Sequence, residues 1–202
     1  MKWGVMILAA GEASRMGKAK MLLPYNETTI LGHILNEVNA LSPDIIKIVT
    51  GHYHDLIKKA IVAQQASITF NPNYMSGMSS SIQLGLAEMQ KDYPQLAFVI
   101  IMVSDQPFIN RFILSNLIDQ KIQMHKGIVA ASYNGILGTP VLLSDNYFEH
   151  LHKLTGDKGA RGILQQFPND TASVDFELGE LDIDTDEDYR QFCKKLNEKN
   201  VD

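Results

Sequence analysis

The chain has 202 residues, 45% of them hydrophobic and 20% charged, which is enough apolar matter for one globular core. No apolar run approaches the roughly 18 residues needed to span a bilayer, and the single cysteine, Cys193, excludes an internal disulfide framework. The formal charge of -5 gives no bulk attraction for nucleic acid or anionic lipid, so any polyanion must be gripped by a local cluster. The start of the chain lacks the long apolar region of a secretory leader, and the expected protein is a cytoplasmic monomer with neither nucleic acid nor membrane as partner.

Residues 4–10 form a continuous apolar run and predict a buried parallel strand. The run stops at Gly11 and opens into a polar loop, GEASRMGKAK, with Arg15, Lys18 and Lys20. Residues 28–41 place Ile30, Leu31, Ile34, Leu35, Val38 and Leu41 at helical spacing. A strand over 45–50 ends at Gly51 and His52, a helix follows over 55–65, and a short strand covers 67–71. The segment NPNYMSGM reads as irregular, and a helix runs over 79–89. The most apolar strand, LAFVIIMV over 96–103, stops at Ser104-Asp105-Gln106-Pro107. A helix over 112–121 and a strand over 127–131 follow, and residues 132–143 break the rhythm. Later come helices over 147–154, 159–166 and 186–199 and a strand over 172–176.

Strands alternating with helices through residue 131 predict right-handed βαβ crossovers and a three-layer, mostly parallel α/β sheet of Rossmann-like build. A single domain over 1–202 is expected, with a ligand half over about 1–105 and a second half over about 106–190. The loops GEASRMGKAK, GHYHD and SDQP then fall at carboxyl ends of strands, where open α/β sheets bind ligands.

A strand breaking at a glycine loop presents N–H groups to an anion, and Arg15, Lys18 and Lys20 add charge that backbone cannot. The loop is neither GxxxxGK[ST] nor GxGxxG, and a solvated surface turn is the other reading. Asp105 ends a central strand, where a carboxylate is costly unless paired or metal-bound; beside a polyphosphate it would hold Mg²⁺, and otherwise it starts a turn before Pro107. In LDIDTDEDY, Thr185 and the acids after it suit a helix start, which leaves Asp182 and Asp184 as candidates to join Asp105 at a metal. Ser79, Ser80 and Ser81 stand at a helix start, as ligand apron or as caps, and Gly77 permits close backbone approach. GILGTP forms either a substrate rim or a plain turn, and Lys158 and Arg161 in GDKGARG are candidates for a second phosphate group. His52, His54 and Asp55 lack a third ligand at a structural zinc spacing.

These segments carry a resemblance. LAAGEASRMGKAKMLLP is similar to the signature loop LAAG-x-S-x-R-M-G-x-x-K-x-L-L-P of the MobA-like nucleotidyltransferases, and NPNYMSGMSSSIQLGL, SDQPFI, GTPVLL, LTGDKGARGIL and DIDTDEDY resemble further motifs of their molybdenum cofactor cytidylyltransferase branch. The resemblance runs in order from Val5 to about Tyr189 and implies the nucleotide-diphospho-sugar transferase type of α/β fold. It implies transfer of CMP from CTP to the phosphate of a molybdopterin-type cofactor, release of diphosphate, Mg²⁺ as cofactor, and an apo molybdenum hydroxylase as a further partner. Arg15, Lys20 and Asp105 match catalytic positions, and Leu8, Ala9, Ala10, Gly11, Lys20, Ser79, Ser80 and Ser81 match nucleotide-binding ones. Ala10 stands where guanylyl-transferring relatives usually carry Gly, which favours a pyrimidine. Asp105 and Asp184 match metal positions; Gly138, Thr139 and Pro140, with Lys158 and Arg161, fall on the acceptor side. Ser104 replaces a usual Gly, and Thr139 replaces a usual His, which bears on acceptor identity. A sugar- or polyol-phosphate cytidylyltransferase and a non-catalytic cofactor carrier are the other implied readings.

Overall fold

The computed structural model describes residues 1–12, 16–62, 65–157 and 159–199, so Arg15 and Lys158 lie outside the described residues. Seven strands form one sheet: β1 (Lys2–Ala9), β4 (Ile45–Thr50), β5 (Ser67–Phe70), β6 (Leu96–Val103), β7 (Ile128–Tyr133), β8 (Ile136–Ser144) and β9 (Thr171–Asp175), in the order β5-β4-β1-β6-β8-β7-β9. A two-stranded ribbon of β2 (Pro24–Tyr25) and β3 (Thr28–Thr29) stands apart. β5, β4, β1 and β6 pair in parallel, as do β7 and β9. Only β8 runs antiparallel to its two neighbours.

The continuous apolar strands are explained by helices on both faces. Along β1, Val5, Ile7 and Ala9 belong to one core and Met6 and Leu8 to the other, so successive side chains all find apolar partners. The first core takes α1 (Ile30–Asn39), α4 (Arg111–Met124) and α7 (Asp186–Lys199), through Leu31, Leu114 and Phe192 among others. The second takes α3 (Met78–Asp92), α5 (Phe148–His152) and α6 (Arg161–Gln166), through Leu86, Leu151 and Ile163. The remaining helix, α2 (His54–Ala60), stops short of the expected residue 65. Ile57 within it and Ile61 at its C-cap are buried, while Val62 is exposed. No helix among the described residues is long and apolar enough to cross a membrane.

The segment 132–143 does break the strand–helix alternation, and it does so as a hairpin from β7 to β8, turning at Asn134 (φ 50°) and Gly135 (φ 75°). Both central residues in the left-handed region make the tight hairpin turn that Asn-Gly favours. The strand pattern is masked because Thr139 and Pro140 are extra residues: Ala130 pairs with Val141 and Ala131 with Gly138. That hairpin inserts β8 beside β6 and so brings the second half of the chain to the carboxyl edge of the first.

Candidate active site

β1 and β6 lie side by side, and the Ser104 N–H donates to the Leu8 carbonyl at 3.1 Å, continuing the ladder past the strand ends. Leu8, Ala10 and Gly11 on one side and Val103, Ser104 and Asp105 on the other floor a cleft of about 670 Å³. Ala9 is buried on the opposite face of β1 and does not line it, as strand alternation requires.

Lys20 opens a short 3₁₀ turn in which Met21 is buried. With Met21 anchored in the core, the Lys20 side chain returns to the cleft and donates to Asp105 Oδ2 at 2.6 Å and to Asp184 Oδ1 at 2.8 Å. Burial is the largest influence on its pKa and lowers it, but the two carboxylates together prevail and the pKa is raised. Lys20 is therefore a charged ammonium throughout the neutral range. Lys18 reaches the same acidic segment farther out, 2.7 Å from Asp186.

Asp184 arrives by way of Ile183, which is buried and whose N–H donates to the Asp105 carbonyl at 3.3 Å. The helix start behind it is a reciprocal cap: the Asp188 N–H donates to Thr185 Oγ1 at 3.1 Å, and Asp188 Oδ2 accepts from the N–H groups of Thr185 at 2.7 Å and Asp184 at 3.2 Å. Thr185→Ala should cost about 1 kcal/mol in chemical denaturation, the ordinary loss for such a cap. Asp182 lines a separate hollow of about 120 Å³ beside Phe108 and Phe192. Burial first, then the charges of Asp105 and Asp184, push its carboxyl up to about 7, with Lys20 opposing. Of the two late acids, Asp184 is the one in the cleft.

The opposite wall is Tyr74, Met75, Gly77, Met78, Ser81 and Asp157. Here the structure differs from the serine apron of the sequence. The Ser79 hydroxyl and N–H both donate to the Gly156 carbonyl, and Ser80 Oγ donates to Asn73 and Gly77 carbonyls. Buried Asn71 donates to Ser80 Oγ and Ser81 Oγ, each at 2.9 Å. Only Ser81 of the three lines the cleft. Gly77 is needed at φ 96°, and a Cβ there would stand 2.7 Å from the Gly156 backbone and 2.6 Å from Asp157 Oδ1. The close approach is therefore by the 156–157 turn, whose Asp157 also accepts from the Met78 N–H at 3.3 Å.

Gly138, Thr139, Pro140 and Arg161 are not among the lining residues. Pro140 is buried, Arg161 is exposed at the start of α6, and Thr139 donates to Gln106 Oε1 at 3.1 Å. Sequence reasoning did not single out Tyr74, Met75, Met78, Asn71 or Asp157 as site residues. Their apolar or capping character carries no local signal of a cleft. Gly51 could have pointed to Tyr74, since a Cβ there would meet the Tyr74 ring and the Ala10 carbonyl.

Among the described residues no group of three or more His, Cys, Asp or Glu is arranged to hold a metal. The pair on Lys20 nevertheless fits a hard cation: Asp105 and Asp184 present oxygens to one point of positive charge. Mg²⁺ asks only one or two carboxylates of a protein when phosphates and water complete its shell.

A mostly parallel sheet whose carboxyl edge gathers a lysine and two carboxylates over an open cleft has the ligand-site layout of an open α/β protein. The chain belongs to the MobA-like NTP transferase domain family, whose sequence profile matches residues 5–172. Bifunctional protein GlmU of Francisella tularensis subsp. novicida (strain U112) is 27% identical over 164 residues, 80% of this chain and 34% of that protein, so the chain spans about a third of the length of the curated relatives it matches. Rv0371c from Mycobacterium tuberculosis H37Rv superposes with a TM-score of 0.82 at 26% identity, covering 96% of this chain and 98% of that one. A structure of Rv0371c in complex with manganese gives 0.77 at 25% identity, over 95% and 97% of the two chains. A nucleotidyl transferase from Methanothermobacter thermautotroptrophicus shares the fold, with a TM-score of 0.81 at 17% identity over 98% and 99%.

Proposed function

We propose that the chain transfers CMP from CTP to the phosphate of a molybdopterin-type molybdenum cofactor and releases diphosphate. The observation that carries this reading is Lys20 held between Asp105 and Asp184 on the cleft floor, where the ends of β1 and β6 meet. An oxygen of the acceptor phosphate attacks the α-phosphorus of CTP. The bond from that phosphorus to the β-phosphate oxygen breaks, and the electron pair leaves with diphosphate. The acceptor oxygen is already anionic near neutral pH, so positioning and charge neutralisation suffice. Lys20, with Arg15 from the same loop, neutralises the leaving diphosphate. Asp105 and Asp184 would hold Mg²⁺, which when bound supplies positive charge to the phosphate oxygens. Backbone from Leu8 to Gly11, with Ser81 across the cleft, holds the nucleoside, and Lys158 with Arg161 holds the acceptor phosphate.

CTP should be preferred to GTP by tenfold or more in kcat/KM, on the order of the 1–3 kcal/mol that an unpaired buried polar group costs. The methyl of Ala10 narrows the cleft where a purine would need room, and Ala10→Gly should relax the preference. Equal kcat/KM for the two nucleotides in the wild type would refute this account. The deciding assay for the function is diphosphate release from CTP and Mg²⁺ across candidate acceptors. Release with the molybdenum cofactor supports the reading. Release confined to a sugar or polyol phosphate would overturn the acceptor, and cofactor binding without release would make the chain a carrier.

A further inference from the structure

Two glycines and one buried amide tie the second half of the chain to the acidic segment. Gln106 is 2% exposed and follows Asp105 directly. Its Nε2 donates to the Gly179 carbonyl at 2.6 Å, and its Oε1 accepts from Thr139 Oγ1 at 3.1 Å. The Gly179 acceptor can be served only by the NH₂ end of the amide, so the oxygen end must face Thr139, whose hydroxyl can donate. The Gly179 carbonyl thus fixes which way the amide lies, and the Thr139 hydroxyl satisfies and anchors its buried oxygen end.

What the amide supports is the acidic segment. Gly179 closes a turn through its N–H to the Phe176 carbonyl at 2.8 Å, and the chain then runs four residues to Ile183, whose N–H meets the Asp105 carbonyl. A Cβ on Gly179 would stand 2.6 Å from the Tyr133 ring, and one on Gly138 would strike the other end of that ring at its hydroxyl. Tyr133 is therefore wedged between the β8 extra-residue site and the 176–180 turn. One side of Gln106 holds Asp105 in place along the chain, and the other holds the turn that delivers Asp184.

We propose that Thr139 is a positioning residue: through Gln106 it sets the spacing of Asp105 and Asp184, and GILGTP acts as the support beneath the two carboxylates. Rather than touching the acceptor, Thr139 acts through Gln106, the chain neighbour of Asp105 and the partner of Gly179. The inference rests on the metal reading of Asp105 and Asp184 above, and its test separates the two.

Thr139→Val removes the hydroxyl at nearly constant shape, and Thr139→Ser restores it. Loss of support around metal-bound groups costs about 10- to 100-fold in affinity or activity. In Thr139→Val, Mn²⁺ binding followed by electron paramagnetic resonance should weaken at least tenfold, and amides of residues 177–184 should exchange hydrogen about tenfold faster. In transfer assays kcat should fall by a similar factor while acceptor KM stays within about twofold, and Thr139→Ser should recover all three. Wild-type Mn²⁺ affinity and exchange in Thr139→Val would overturn the proposal. So would a raised acceptor KM at unchanged kcat, or failure of Ser to rescue. If Thr139→Val does not fold, Thr139→Ala carries the same expectations. Hydrogen exchange needs neither substrate nor metal, so absence of transfer activity in the wild type would sink the proposed function and leave this test standing.

Discussion

Lys20→Ala is expected to lower CMP transfer by about 10²- to 10³-fold at saturating CTP and Mg²⁺, the loss found when a preorganised charge at a developing anion is removed. The side chain is 14% exposed and meets two carboxylates, so no neighbouring group among the described lining residues duplicates it. Folding should suffer far less. Asp105 is 22% and Asp184 44% exposed, and solvent screens the repulsion the two carboxylates then feel. A raised lysine pKa stabilises the fold fully below the ordinary lysine value and loses that contribution only as pH rises through the folded one. Wild type and variant should therefore differ by a constant small margin in denaturation across neutral pH. Turnover within tenfold of wild type would remove the signature loop from the mechanism.

Asp105→Asn should be as damaging, by about 10²-fold or more, with loss of detectable Mn²⁺ binding. Asparagine keeps the shape and the turn, but its amide brings no negative charge to a cation. The effect should exceed that of Asp184→Asn. Asp105 stands two residues beyond β6, a central strand flanked on both sides, whereas Asp184 sits in the segment before α7 and is twice as exposed. Rigid placement is what converts a carboxylate into a metal ligand of defined geometry. Unchanged Mn²⁺ affinity in Asp105→Asn would place the metal elsewhere, and an equal loss in the two variants would mean that the pair acts as one unit.

Much of the fold was legible because burial on two faces leaves a direct mark. The runs at 45–50 and 96–103 became β4 and β6 with unchanged bounds, and residues 186–199 became α7. Thr185 and its following acids announced a helix start, and the reciprocal cap is there. The hairpin was not legible by alternation, since Thr139 and Pro140 disturb the pairing, although Asn134-Gly135 was a usable sign of its turn. The serines were read as a ligand apron or as caps because hydroxyls at a helix start serve ligands and neighbouring loops equally well. Which they serve depended on Asn71 and Gly156.

By itself the sequence determined the buried parallel strands, most of the helices and the chemistry of the loops, since each of these depends on side chains within a few residues of one another. That Lys20 meets Asp184 across 164 residues was decided only by tertiary structure. So was the choice of Asp184 over Asp182 for the cleft, and the docking of Thr139 on Gln106 next to Asp105. Strand order sets these distances. It follows from how β8 inserts beside β6 and how Ile183 docks on Asp105, packing and hydrogen bonding between segments whose local patterns carry no record of each other.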